Sequence, residues 1–191
     1  MNPVTHFLTG WSVANAAPFS RKELALVSIA GVIPDLDGLG MVPDWLTRNS
    51  AQPLNWWGKY HHLLGHNAGF ALAVVGGTFA LSRKRWLAAA MAFLSFHLHL
   101  LGDIVGARGP DGDQWPIPYL LPFSNVWQLS WQGQWELNAW PNFLITRLLL
   151  LLTFYLAWKR GYSLLEMFSL SADRVFVAAL RTRFGFPQRN P

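Results

Sequence analysis

The sequence predicts an all-α integral membrane protein, a bundle of roughly four apolar helices with a Trp/Pro-rich extramembrane loop. Three observations predict it. Only 13% of the 191 residues are charged and 52% are hydrophobic, whereas a soluble domain averages about 25% charged residues. Long runs are free of Asp, Glu, Lys and Arg. Basic clusters punctuate those runs at places that a single membrane orientation satisfies. Mean hydropathy is only +0.21, so the polar share must gather in loops or in a site.

The first apolar segment is residues 24–33 (LALVSIAGVI). Residues 67–82 carry no charge and end at Arg83-Lys84-Arg85. Residues 86–102 (WLAAAMAFLSFHLHLLG) again lack Asp, Glu, Lys and Arg. Residues 143–158 contain only Arg147 and end at Lys159-Arg160. A spanning helix needs about 20 apolar residues, with about 17 the lower limit. The segments sit at or below that limit, and a soluble bundle of unusually apolar helices is the alternative.

Residues 107–142 are rich in Pro, Gly and Trp. Trp115, Trp127, Trp131, Trp135 and Trp140 suit an interfacial layer, and a packed cap is equally compatible. Ser163 and Glu166 form a capping-box pattern. In residues 171–184, Phe176, Leu180 and Phe184 recur at helical spacing, with Arg174 and Arg181 on another face. That segment reads either as a basic helix on anionic lipid or as a packed terminal helix. The chain divides into a membrane-embedded domain, 1–162, and a basic tail, 163–191.

Placing Arg21-Lys22, Arg83-Lys84-Arg85 and Lys159-Arg160 on the cytoplasmic side satisfies the positive-inside bias. Residues 34–66 and 107–142 then lie on the outer side. The expected location is the inner membrane, multi-pass. No basic region precedes the first apolar stretch, so no signal peptide is expected. The net charge of +5 follows from these flanking clusters, so lipid rather than nucleic acid is the expected partner. The absence of cysteine excludes disulfides, thiolate ligands and a cysteine nucleophile.

All six histidines lie at His6, His61, His62, His66, His97 and His99, with Asp35, Asp37 and Asp103 among them. His99 and Asp103 share a helix face at i, i+4, where they can hold one cation or simply bond to each other. An ionisable Asp at a membrane helix end points to a functional site. His97 is two residues from His99 and faces elsewhere. Asp35 and Asp37 flank Leu36. In an extended turn they point to one side, where close carboxylates repel unless a cation sits between them. The expected topology brings all these groups to the outer face, with His6 reaching it if residues 6–20 dip back towards Arg21. Mixed nitrogen and carboxylate donors suit zinc first, with manganese or iron admissible. Paired metals commonly act on phosphoesters.

With Thr5-His6, Pro34-Asp35-Leu36-Asp37, His61 with His66, and His99 with Asp103, the chain resembles the bacterial family of LexA-regulated, membrane-bound metal-dependent hydrolases. That family is itself similar to zinc-dependent phospholipase C and P1-type nucleases. The resemblance implies one or two divalent metals held by His6, Asp35, Asp37, His61, His66, His99 and Asp103. It implies Asp35, Asp37 and His66 as catalytic groups, and hydrolysis of a small-molecule or lipid phosphoester by metal-activated water. His62 stands where the family has Arg, Gly65 and Asn67 where it has Thr and Ser, and Leu98 where it has Ser. No histidine follows His99, which leaves Asp111, Asp113 and Glu136 as the acidic groups able to compensate. His62 and His97 are supporting or alternative ligands. Arg108 is a candidate for substrate phosphate, or for a salt bridge to Asp111. The alternative function is a non-enzymatic membrane protein that binds or transports a divalent cation.

Overall fold

The computed structural model describes residues 1–109 and 112–187; Asp111, a candidate compensating ligand and partner for Arg108, lies outside them. The described residues form eight α-helices and two 3-10 segments, with isolated bridges in place of strands.

Helix α1 (Pro3–Ala14) was not legible in the sequence. Asn2 caps it by accepting from Thr5 N, and Pro3 sits at its first position, where the missing N–H costs nothing. Helix α2 (Arg21–Ala30) begins with a full capping box from Ser20 and Glu23. A 3-10 segment over Ile33–Gly40 runs into α3 (Met41–Thr47), followed by α4 (Trp56–Tyr60). Helices α5 (Ala68–Leu81), α6 (Arg85–Gly106) and α7 (Trp140–Arg160) occupy the predicted apolar segments to within a few residues. A 3-10 turn at Leu164–Met167 precedes α8 (Leu170–Phe184).

At about 1.5 Å per residue, α6 and α7 are long and apolar enough to cross a membrane. Helix α2 and the segment Ile33–Thr47 together pass the same test but bend by 50° at their junction. Helix α5, at 14 residues, reaches only about 21 Å and is shorter than a straight span. Helix α7 is mostly unburied within the fold, as expected of a lipid-facing helix.

Helices α1, α2 and α6 make the central contact, and small residues permit it. A Cβ on Gly10 would stand 2.6 Å from the Ser28 carbonyl oxygen, and one on Gly31 would stand 3.0 Å from Gly10 Cα. Backbones therefore approach closely, which lowers His6 of α1 and Gly31 of α2 against the end of α6.

The Trp-rich segment is a packed cap. Ile117 and Leu129 exchange both backbone hydrogen bonds. Ile117 is buried with Ala71, Phe96 and Leu100. Carbonyls of Tyr119 and Leu121 accept from Ala68 and Gly69, satisfying donors at the start of α5. Trp127, Trp131 and Trp140 stay exposed, while Trp135 bonds Asn142. Helix α8 packs on α7 through Phe154 and Phe176, and Val177 is buried; its Val175 and Phe184 remain exposed.

Candidate metal centre

Four chain segments converge on one buried cluster. Helix α1 contributes His6, the 3-10 segment contributes Asp35 and Asp37, the 61–67 turn contributes His61, His62 and His66, and α6 contributes His99 and Asp103.

The 3-10 geometry separates the two aspartates. At three residues per turn, positions two apart differ by about 120° in direction. The expectation that Asp35 and Asp37 point the same way assumed an extended turn and is corrected here. Asp35 faces His99, with Oδ1 3.8 Å from Nε2. Asp37 turns the other way. Its Oδ1 meets His61 Nδ1 at 2.9 Å, and its Oδ2 meets His66 Nδ1 and the Gly65 N–H, each at 3.0 Å.

These contacts fix tautomers. His99 Nδ1 lies 2.9 Å from the Gly31 carbonyl, which only accepts, so Nδ1 carries the proton. His66 Nδ1 donates to the Asp37 carboxylate in the same way. In their neutral forms both rings are then left with an Nε2 lone pair, and the two Nε2 atoms stand 3.0 Å apart. Asp103 Oδ2 is 3.0 Å from His99 Nε2 and 3.4 Å from His66 Nε2. Three acceptors facing one another repel unless a proton or a cation lies among them. Holding each His by its far nitrogen is the usual way to aim the other at a metal.

His6 Nε2 reaches Asp103 Oδ1 at 3.0 Å, and its ring stacks 3.8 Å from that of His99. The Met1 amino group also contacts Asp103 Oδ1. Two donor groups result, each with ligand atoms within 4.8 Å of one another: His6, Asp35, His99 and Asp103, and His62, His66 and Asp103. Asp37 and His61 fall outside both groups, and Asp37 holds the His61 and His66 rings through its two oxygens.

The buried negative charge of the cluster is met by the Met1 ammonium at Asp103 and by histidine rings. The side chains of Asp37 and Asp103 are 2% exposed, yet no Lys or Arg among the described residues lies within ion-pair distance of them or of Asp35. Buried carboxylates are retained only when paired or bound to metal. His66 supplies part of the compensation in the metal-free form. Burial alone would lower its pKa, but hydrogen bonds and charge from Asp103 and Asp37 raise it to about 9. Burial pushes the His62 ring down to about 3, so it is neutral.

A cleft of about 330 Å³ opens onto this cluster, lined by Asp35, Leu39, Met41, Trp57, His61, His62, Asp103 and Trp115 among others. Asp35 Oδ2 is buried without a hydrogen-bond partner. His97 lies away from the cluster, bonding the Phe93 carbonyl and Tyr119 Oη. Arg108 donates to the Gln132 carbonyl and is not among the cleft residues. Asp113 and Glu136 serve the cap through backbone carbonyls that accept from Gly109 and Asn142. The structure also adds Trp57, against His61, and Trp115, against His61 and His62, with ring centroids 5.1–5.5 Å apart. By sequence, Trp115 belongs to an interfacial layer or a packed cap, and Trp57 has no assigned role.

The family model described as YdjM inner membrane protein matches residues 1–183. The chain belongs to that family. Membership makes it an inner membrane protein, consistent with helices α6 and α7. No curated protein and no solved structure matches the chain.

Proposed function

We propose that the protein is a metal-dependent hydrolase of the inner membrane that acts on a phosphoester, with zinc the best-suited ion. The observation that carries this reading is the convergence of His99 Nε2 and Asp103 Oδ2, 3.0 Å apart, with ligand atoms of His6 and Asp35 within 4.8 Å of them. Ligand atoms about 2 Å from a tetrahedral ion stand roughly 3.3 Å apart, so the His99–Asp103 pair fits a cation as it stands. When bound, such an ion would lower the pKa of a water and offset charge on a phosphoryl group. His6, His99 and Asp103 would hold it. Asp35, with one oxygen towards the ligands and one unpartnered at the cleft, would take up the proton of the attacking water. Asp37 keeps His61 and His66 oriented.

An apolar lip supports a lipid as the substrate. Leu39 and Met41 line the cleft and are 58% and 60% exposed, and exposed Val42, Trp45 and Leu46 of α3 continue the surface. Acyl chains would lie along it while the phosphoester enters the cleft. Basic clusters at the far ends of the helices support a multi-pass arrangement with the site on the non-cytoplasmic side.

The test is metal analysis of detergent-purified protein, with hydrolysis of a phospholipid and of a water-soluble phosphodiester. Bound metal and activity lost together on chelation, with the lipid preferred, is the expected result. Metal without hydrolysis of either would favour a cation-binding or cation-transport role. No metal at all would remove the proposal.

A further inference from the structure

We infer that the centre has a second cation position, held by His62, His66 and Asp103, and that His62 is the residue shaped for it. The inference rests on the metal-dependent reading above and extends it to a residue that the motifs do not include.

Four observations meet at His62. It is the non-glycine residue with positive φ among those described, at 64°. Left-handed backbone is uncommon for residues with a Cβ, and strain of that kind gathers at binding sites. The ring is 5% exposed, and its Nδ1 has no hydrogen-bond partner. A buried ring nitrogen left unpaired is costly and calls for a partner. The ring centroid lies 4.4 Å from that of His66. One ligand atom each from His62, His66 and Asp103 fall within 4.8 Å, all three residues buried.

Asp103 belongs to both donor groups. Its Oδ1 faces His6, while its Oδ2 faces His66 and His99 and makes no well-formed hydrogen bond. With Oδ2 between His99 of one group and His66 of the other, the carboxylate is placed to bridge two ions, and paired ions in hydrolytic sites lie about 3.5–4 Å apart. Edge-to-face packing against Trp115, at 5.3 Å between centroids, explains why the ring is buried. It does not explain the unpaired nitrogen or the strained backbone.

The experiment titrates chelator-stripped, detergent-purified protein with Co²⁺ and Zn²⁺, following calorimetry and the Co²⁺ visible spectrum. Mn²⁺-loaded samples are read by electron paramagnetic resonance. Wild type should take up two equivalents and give an exchange-coupled Mn²⁺ signal. His62→Asn should take up one, with at least 100-fold weaker binding of the second and an uncoupled signal. Asn accepts left-handed backbone readily, so the fold should hold. Should circular dichroism show that it does not, His62→Gly gives the same reading with less strain. Two coupled equivalents in either folded variant would overturn the inference. A single equivalent in wild type, unchanged in His62→Asn, would overturn the second position and leave the proposed function standing. No binding in wild type would remove both.

Discussion

Asp103 receives His6 on one oxygen and faces His66 and His99 with the other, so neutralising it should dismantle the centre. Asp103→Asn is nearly isosteric and preserves packing, yet it removes the charge that offsets a cation. Metal content should fall by more than the 10–100-fold typical of supporting residues, as read by elemental analysis after gel filtration. His97→Gln should keep the metal, because His97 serves only Phe93 and Tyr119, and it should cost about 1 kcal/mol of stability at most. The reverse pattern would mean that the wrong face of α6 has been assigned. His66 gives a pH prediction. With its pKa raised to about 9, it is protonated at pH 7 in the metal-free protein, and a cation taking Nε2 must displace that proton. Calorimetry in buffers of different ionisation enthalpy should therefore show about one proton released from this residue, and affinity should rise with pH towards 9. Without metal, the raised pKa contributes stability that is complete below 6.5 and lost as pH passes through about 9. A chelated sample whose melting temperature does not fall across that window would contradict this. The His99–Asp103 pair was legible because helical spacing alone sets it. The division of labour between Asp35 and Asp37 was not, because two carboxylates flanking one residue point together in an extended turn and apart in a 3-10 one.

Among the elements, the long apolar helices were readable because uncharged runs leave few other structures for 86–102 and 143–158. Helix α1 was not, because Thr5, His6, Thr9 and Gly10 interrupt its apolar pattern. Those same residues are the ones it needs. Thr5 bonds Asn2 and Thr146 of α7, and Gly10 admits the α2 backbone. The turn over 61–67 depends on a close approach of the same kind. A Cβ at Gly65 would stand 2.2 Å from the Pro34 carbonyl oxygen, and backbone cannot yield as a flexible side chain does. Gly65→Ala should therefore push the turn off the 3-10 segment and break the Asp37–His66 contact. The expected cost is roughly 1–3 kcal/mol, with metal content falling alongside melting temperature in detergent. Gly76→Ala on α5, where an added Cβ meets nothing within 4 Å, should be neutral or stabilise by about 0.5–1 kcal/mol. Equal losses in the two variants would show that the effect is general to glycine replacement and not to this contact.

At the scale of the whole molecule, the contacts sort charge to opposite ends of the same helices. Helix α1 carries His6 near its start, while Asn15, just past its end, accepts from Arg160 and Tyr162. Helix α2 presents Glu23 to the Lys84 N–H at its start and the Gly31 carbonyl to His99 just past its end. Lys84 also reaches the Pro18 carbonyl. Helix α6 begins at Arg85 and ends beyond Asp103. The histidine–aspartate cluster and the basic clusters are thus separated along every helix that touches both. Basic residues are favoured on the cytoplasmic side of a membrane, so the proposed topology has the histidine–aspartate cluster and its tryptophan-rich cap across the bilayer from them. Reporter fusions at residue 84 and after α8 should register cytoplasm, and a fusion near residue 125, in the cap, the opposite compartment. An activity-independent reporter pair, one fluorescent only in the cytoplasm and one active only outside it, removes dependence on expression level. Finding residues 84 and 125 in the same compartment would be incompatible with α6 as a span, since those positions bracket it. It would then require α6 to be buried within a bundle resting on one side of the membrane.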